Sequence, residues 1–353
     1  MSLLHVQVIK ILFLMVFSIL LALLWAPFLI RFLYRYRLWR KSARTLSIDG
    51  KPTPIFYSLH KERETRVPRL GGILIFLTTI FTAFFFSFLA KISDNFWLNK
   101  LDFLSRDQTW IPLAVLAAAS LVGLTDDLLQ IFGKGKYAAG GIKFTRRLLA
   151  VFLIATISAF WFYFKLETRS IYIPGLGDWE IGFWYLPFFI LVVLACWSGG
   201  AINGLDGLAG GVFGIIFGSF SIIAFAQHQY NLAALCAVIT GTILAFLWFN
   251  IPPARFYMGE VGMMGLTCAL AIVSFLTNSV LLLPIIGGLL VIESGSIILQ
   301  LSAKKFLKRK IFLCAPLHHH LEAKGWPAEK ITMRFWILGL TLAIIGTIIG
   351  LLK

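Results

Sequence analysis

Only sixteen Asp and Glu residues stand against 32 Lys and Arg in the 353 residues of this chain. Six of these acids, Asp126, Asp127, Asp206, Glu260, Glu293 and, less clearly, Glu322, fall within or at the edge of apolar runs. Ionised groups there are costly and are functional candidates by default. Asp126 and Asp127 close the run Leu-Val-Gly-Leu-Thr-Asp-Asp. Adjacent residues on a helix point about 100° apart, so the two carboxylates should differ in role. One could approach a cation and the other handle a proton. The plainer alternative is a charged helix end at the interface. Asn203-Gly-Leu-Asp206-Gly-Leu-Ala-Gly-Gly and Tyr257-Met-Gly-Glu260-Val-Gly each set a carboxylate between glycines where an apolar run begins. Glycine allows close backbone approach, and helix-start amides favour an anion. Gly-mediated helix packing and simple capping by Glu260 are the bland counterparts. Asn250 ends the preceding apolar run.

The segment Ala315-Pro-Leu-His318-His319-His320-Leu-Glu322 lies in a long polar stretch. Three consecutive imidazoles point in three directions, so at most two easily share one metal. The spaced H-E-x-x-H pattern of zinc hydrolases is absent. Phosphate contact or proton handling fits equally well.

The chain is 59% hydrophobic and 14% charged, where a soluble domain carries about a quarter charged residues. Ten apolar runs of about 20 residues predict membrane-spanning helices over roughly 10–34, 70–90, 110–132, 146–166, 183–199, 207–227, 230–250, 262–280, 281–303 and 333–352. The expected fold is therefore all-α and polytopic, a single integral-membrane domain over 1–353. Only Thr277, Asn278 and Ser279 separate the eighth run from the ninth. The first run is too long for a cleaved leader and is followed by Arg31, Arg35, Arg37, Arg40 and Lys41, so it reads as a first transmembrane helix. Cys196, Cys236, Cys268 and Cys314 form no CxxC pair and read as small packing residues.

The net charge of +16 does not point to nucleic acid. Twenty-five of the 32 basic residues fall in 31–69, 134–147, 251–261 and 304–334. This bias places those loops in the cytoplasm and both termini outside. Trp97, Trp110, Trp179 and Trp184 then sit at outer span ends, where an interfacial belt belongs. A basic face also suits anionic lipid or an anionic substrate, and 36–66 contains an amphipathic stretch that could lie along the interface. All four polar clusters reach the cytoplasmic face, joined by Lys143, Arg146 and Arg147. Carboxylates for a divalent cation, with basic residues and glycine amides for phosphates, are the components of phosphoryl transfer. A membrane location implies a lipid substrate. A transporter would place charges along a mid-membrane path, and only Glu293 fits that.

From about Arg66 to the C-terminus, the residues resemble the polyprenyl-phosphate N-acetylhexosamine-1-phosphate transferases, a ten-helix family. The likeness rests on Pro68-Arg-Leu-Gly-Gly72, Gly123-Leu-Thr-Asp-Asp127, Asn203-Gly-Leu-Asp-Gly-Leu208, Leu247-Trp-Phe-Asn250, Met258-Gly-Glu260 and Ala315 to Glu322. The histidine triplet is characteristic of the muramoyl-pentapeptide branch. The resemblance implies that undecaprenyl phosphate attacks the β-phosphorus of UDP-N-acetylmuramoyl-pentapeptide and that UMP leaves, with Mg2+ bridging the pyrophosphate. It implies that Asp126 deprotonates or orients the lipid phosphate with Asp127 beside it, and that Asp206 belongs to the catalytic set. Glu260 would bind the metal, with Asn203 as a further ligand or substrate contact. Tyr257 would lie near the uracil, Asn250 on the nucleotide side and Arg146 at the phosphates. His318, His319 and His320 would lie near sugar and phosphates. A bacterial inner-membrane location and a homodimer are implied too.

Two departures stand out. The family usually reads Asn-Leu-Thr-Asp-Gly-Leu-Asp-Gly where this chain has Gly200-Ala-Ile-Asn203-Gly-Leu-Asp206-Gly. Glu260 replaces the family's aspartate, with Met263 where serine is common. Asn203 keeps an oxygen but loses a charge, and Glu260 lengthens a ligand arm for an ion that demands tight geometry. A sister transferase for another UDP-N-acetylhexosamine, or a silent lipid-binding relative, are the competing readings.

Overall fold

The computed structural model describes residues 2–43, 45, 52–134 and 140–352. Arg44, Lys51, Lys136 and Lys353, together with the Arg63 side chain, all counted in the charge bias above, lie outside the described residues.

In lipid, backbone N–H and C=O groups must pair within their own segment, and the apolar runs accordingly form helices. α1 (Leu3–Arg35) starts earlier than the expected 10–34. Lys10, at the first position of the expected span, is buried within this helix; its Nζ donates to the Asp102 carbonyl at 2.9 Å and to Asn231 Oδ1 at 2.7 Å. The amphipathic stretch contains α2 (Pro54–Glu64), a short helix. α3 (Gly72–Ile92), the short α4 (Phe96–Leu101), α5 (Trp110–Ile131) and α6 (Phe144–Lys165) follow. A hairpin pairs β1 (Ser170–Ile173) antiparallel with β2 (Gly177–Glu180). Then come α7 (Tyr185–Ser198), α8 (Leu208–Ala226), α9 (Tyr230–Asn250) and α10 (Gly259–Leu276). α11 (Leu283–Ile286), α12 (Gly288–Ser302), α13 (Leu317–Ala323) and α14 (Ala328–Leu351) complete the chain.

Among the described residues, nine helices are long and apolar enough to cross a membrane. The tenth expected span, 281–303, is not one straight helix. Val280–Ile286 and Gly288–Leu307 meet at 80°. Pro284 starts the short α11 and Gly287 ends it, a sequence that interrupts the backbone ladder. The polar break before it ties down the β1–β2 hairpin. Asn278 Oδ1 accepts from the Tyr172 N–H at 3.0 Å, and its Nδ2 donates to Asp178 Oδ1 at 2.8 Å.

α8, α9 and α10 fill the centre, while α1, α6 and α14 face outward. Leu24, Phe28, Ile157 and Trp248 are mostly exposed, which suits a lipid-facing surface. Trp97, Trp110, Trp179 and Trp184 are exposed as well, in keeping with an interfacial belt. Cys196, Cys236 and Cys268 are buried free thiols. Where α3 and α5 meet α10, the chains touch at main-chain level. A Cβ on Gly72 would overlap the backbone of Gly262, and one on Gly123 would overlap that of Glu260.

Candidate active site

Asp126 and Asp127 lie near the C-terminal end of α5 with both carboxylates buried. They meet different partners, as their helical phase requires. Asp126 accepts from Gln130 Nε2 and from the Ile142 N–H, each at 2.6 Å, and its Oδ2 lies 3.4 Å from Arg147 Nη1. Asp127 accepts from the Val261 N–H at 2.9 Å and faces Arg69 Nε at 3.5 Å. Gly259 permits that second arrangement. Its φ of 71° lies in the left-handed region, and a Cβ there would collide with Asp127. The turn leaves the half-buried Glu260 with Oε1 at 3.1 Å from Arg147 Nη1. One guanidinium nitrogen therefore bridges Asp126 and Glu260.

Arg146, the expected phosphate contact, is exposed and forms no ion pair among the described residues. Its neighbour Arg147, turned about 100° round α6, is the one that reaches Asp126 and Glu260. A second layer escaped the sequence reading. Arg40 donates from Nη1 to Glu64 at 2.6 Å and from Nε to Gln130 Oε1 at 2.9 Å, and Gln130 holds Asp126. The available signal was the spacing of Gln130 one turn after Asp126 on the same helix.

The loops after α7 and α9 meet beside this cluster. Asp206 is buried and accepts from the Ala254 N–H at 3.1 Å. Asn250 Oδ1 accepts from the Gly207 N–H at 3.0 Å, and its Nδ2 donates to the Phe256 carbonyl at 2.8 Å. Its carboxamide thus ties the two loops together, where the resemblance placed it on the nucleotide. The Tyr257 N–H donates to the Pro68 carbonyl at 2.7 Å. A cavity of about 210 Å³ is lined by Asp206, Ala254 and Tyr257 with Glu62, Arg66 and Val67. Asn203 is half-buried, and its side chain forms no hydrogen bond among the described residues.

The histidine triplet begins α13 and divides as its geometry requires. His318 is wholly buried. Its N–H and Nδ1 lie 3.2 and 3.0 Å from the two carboxylate oxygens of Glu293. His319 Nδ1 lies 3.0 Å from Glu322 Oε2, which is also 2.8 Å from His60 Nε2. The Nε2 atoms of His318 and His319 both close on Gly204, where any Cβ would overlap them. His320 turns away: its Nδ1 accepts from the Leu313 N–H at 3.1 Å. Two of the three rings therefore reach the Asn203 loop, and the third holds the preceding segment.

Burial, reinforced by His318, pushes the His319 imidazole down to about 3, so this ring is neutral near pH 7. Burial would raise the Glu322 carboxyl, but hydrogen bonds from His319 and His60 outweigh it and hold it at about 2. Glu293 and Glu322 thus each face an imidazole Nδ1, an arrangement that fixes ring orientation and tautomer. The sequence marks Glu293 as a buried acid but does not name its partner. His60 carries no mark beyond its amphipathic helix.

Asp126, Asp127 and Glu260 supply only oxygen donors, the set a hard cation such as Mg2+ takes. No described contact joins Asn203 to Glu260, and Gly204 places Asn203 on the histidine side.

A glycosyl transferase family 4 model matches residues 109–278. The chain is 33% identical over 317 residues to the phospho-N-acetylmuramoyl-pentapeptide-transferase of Lactiplantibacillus plantarum, covering 89% of this chain and 91% of that one. It is 31% identical over 336 residues to the same-named protein of Geobacillus thermodenitrificans, covering 94% and 95%. With that of Bacillus pumilus it shares 33% identity over 341 residues, 95% and 96% of the two chains. With the carboxylate, arginine and histidine clusters on one face of a polytopic helical membrane protein, this similarity along nearly the whole length means that the chain belongs to the phospho-N-acetylmuramoyl-pentapeptide-transferase family.

Proposed function

We propose that the chain transfers phospho-N-acetylmuramoyl-pentapeptide from its UDP-linked form to undecaprenyl phosphate. UMP leaves, and the product is the first lipid intermediate of peptidoglycan synthesis. The reading places the protein in a bacterial inner membrane, with the site on the cytoplasmic side, and includes a homodimer. The observation that carries it is the Arg147 bridge between Asp126 and Glu260, beside the loops that hold Asp206 and Tyr257.

The division of labour follows from the contacts. Arg147 and Arg69 supply positive charge where phosphate oxygens must gather. Asp126 orients the incoming lipid phosphate and takes its proton, and Asp127 locks the 259–261 turn in place. Tyr257 and Asp206 line the nucleotide side. Glu260 would hold Mg2+, which would neutralise charge on the pyrophosphate. With their Nδ1 protons held by Glu293 and Glu322, His318 and His319 present Nε2 lone pairs beside Gly204. They accept from hydroxyl or amide donors of the sugar portion.

UMP release by the purified protein tests this, with undecaprenyl phosphate, Mg2+ and either UDP-N-acetylmuramoyl-pentapeptide or UDP-N-acetylglucosamine. Release with the first alone is the expected result. Release with the second alone would reassign the chain to the sister reaction, and release with neither would leave a lipid-binding relative.

A further inference from the structure

Three side chains from two elements meet behind the histidine face. His60 comes from α2, and His319 and Glu322 come from α13. Their donor atoms all lie within 4.8 Å of one another. One oxygen, Glu322 Oε2, stands 2.8 Å from His60 Nε2 and 3.0 Å from His319 Nδ1. The Phe56 ring packs against both imidazoles, at 4.8 and 5.0 Å between centroids. Both histidines are buried, and Glu322 retains some exposure.

We propose that His60 Nε2, His319 Nδ1 and a Glu322 carboxylate oxygen form a binding site for a zinc-class divalent cation, distinct from the all-oxygen cluster of Asp126, Asp127 and Glu260. Two imidazoles and a carboxylate, with a fourth position for water, are a zinc ligand set. The present N···O separations are those of hydrogen bonds. Tetrahedral ligands bound at about 2.0–2.2 Å stand about 3.3–3.5 Å apart, so an opening of about half an ångström admits the ion. Imidazole nitrogen suits zinc, copper and nickel, whereas Mg2+ keeps oxygen ligands and water. The ligand set of this site therefore favours the zinc class over Mg2+.

Occupancy has a chemical consequence at the reaction face. Unliganded, His319 carries its proton on Nδ1 and hydrogen-bonds Glu322. A cation on Nδ1 takes that nitrogen's lone pair, and the proton moves to Nε2. No proton is released, and the atom facing Gly204 changes from acceptor to donor. The same ion pins α2 to α13. Inhibition of transfer by zinc rests on the transferase reading; binding does not.

The test uses the full chain in detergent, purified without a polyhistidine tag and stripped with a chelator. It is dialysed against Zn2+ in excess Mg2+, and bound metal is measured by mass spectrometry. One zinc per chain is expected, with a tetrahedral visible spectrum when Co2+ replaces it. His60→Ala and Glu322→Gln should each weaken binding by roughly 10–100-fold or more. His320→Ala and His228→Ala should bind like wild type. Absence of stoichiometric zinc in wild type, or undiminished binding in His60→Ala, overturns the proposal. The wild-type measurement decides even if a variant fails to fold. No activity is read, so this result and the UMP assay fail independently.

Discussion

Glu293 grips His318 at two points. One carboxylate oxygen faces the backbone N–H at 3.2 Å and the other the imidazole Nδ1 at 3.0 Å, with both side chains wholly buried. Glu293→Gln keeps the shape but offers one acceptor and one donor, so the ring must adopt its other tautomer to pair with the amide. We expect kcat to fall by about 10²-fold or more with KM nearly unchanged. Glu293→Ala should also lower the melting temperature, because each unsatisfied buried group costs about 1–3 kcal/mol. Wild-type kcat in the Gln variant would show that the tautomer does not matter.

Arg147 and Arg146 separate a bridging role from a merely basic one. Arg147→Ala removes the group shared by Asp126 and Glu260 and should lower kcat/KM by about 10²-fold. Arg146→Ala removes an exposed side chain and should stay within a factor of a few in steady-state assays. The reverse ranking would return the phosphate contact to Arg146.

Asp126→Asn and His319→Ala should each abolish transfer with melting and size-exclusion behaviour retained, and wild-type turnover in either purified variant refutes the assignment. Glu260→Ala should remove the magnesium response together with the activity. A magnesium titration of residual turnover that matched wild type would remove Glu260 from the ligand set.

Gly200, in the short 3-10 helix Gly199–Ile202, and Gly204 just beyond it should respond differently to alanine. At Gly204 a methyl overlaps both imidazoles, and such overpacking costs about 1–3 kcal/mol. At Gly200 the nearest atoms lie 3.8 and 4.0 Å away, ordinary contact worth less than about 0.5 kcal/mol. Melting temperature and UMP release should both fall for Gly204→Ala alone.

The α2–α13 contact should weaken in acid. Glu322, held at about 2 against an ordinary 4.5, contributes stability above 4.5 that is lost as pH falls toward 2. His319, held at about 3 against 6.5, refuses a proton that the unfolded chain accepts below 6.5. It therefore acts in the same sense between 6.5 and 3. Protease nicking after α2 should rise as pH drops from 7 to 4, and should be raised already at pH 7 in Glu322→Gln. A rate independent of pH in wild type would count against this linkage.

The spans were legible because runs of about 20 apolar residues admit little else. The bend at Gly287 was not, since hydropathy averages over the angle between two halves. The acids at 126, 127, 206 and 260 announced themselves by standing in apolar surroundings. Their arginines did not. Choosing Arg147 over Arg146 requires the rotational phase of α6, which packing sets. His60 lies in the short polar helix α2 and Arg40 in the stretch before it; nothing local marks their partners, which lie far along the chain. Asn250 was legible as important, but its backbone bonds emerge only when two loops meet.

Because α3 and α5 touch α10 at main-chain level, at Gly72 and Gly123, side-chain repacking has no slack with which to retune the spacing between the α5 aspartates and Glu260. Compounds aimed at the carboxylates must match a fixed template, and resistance by small adjustments there is closed to the protein.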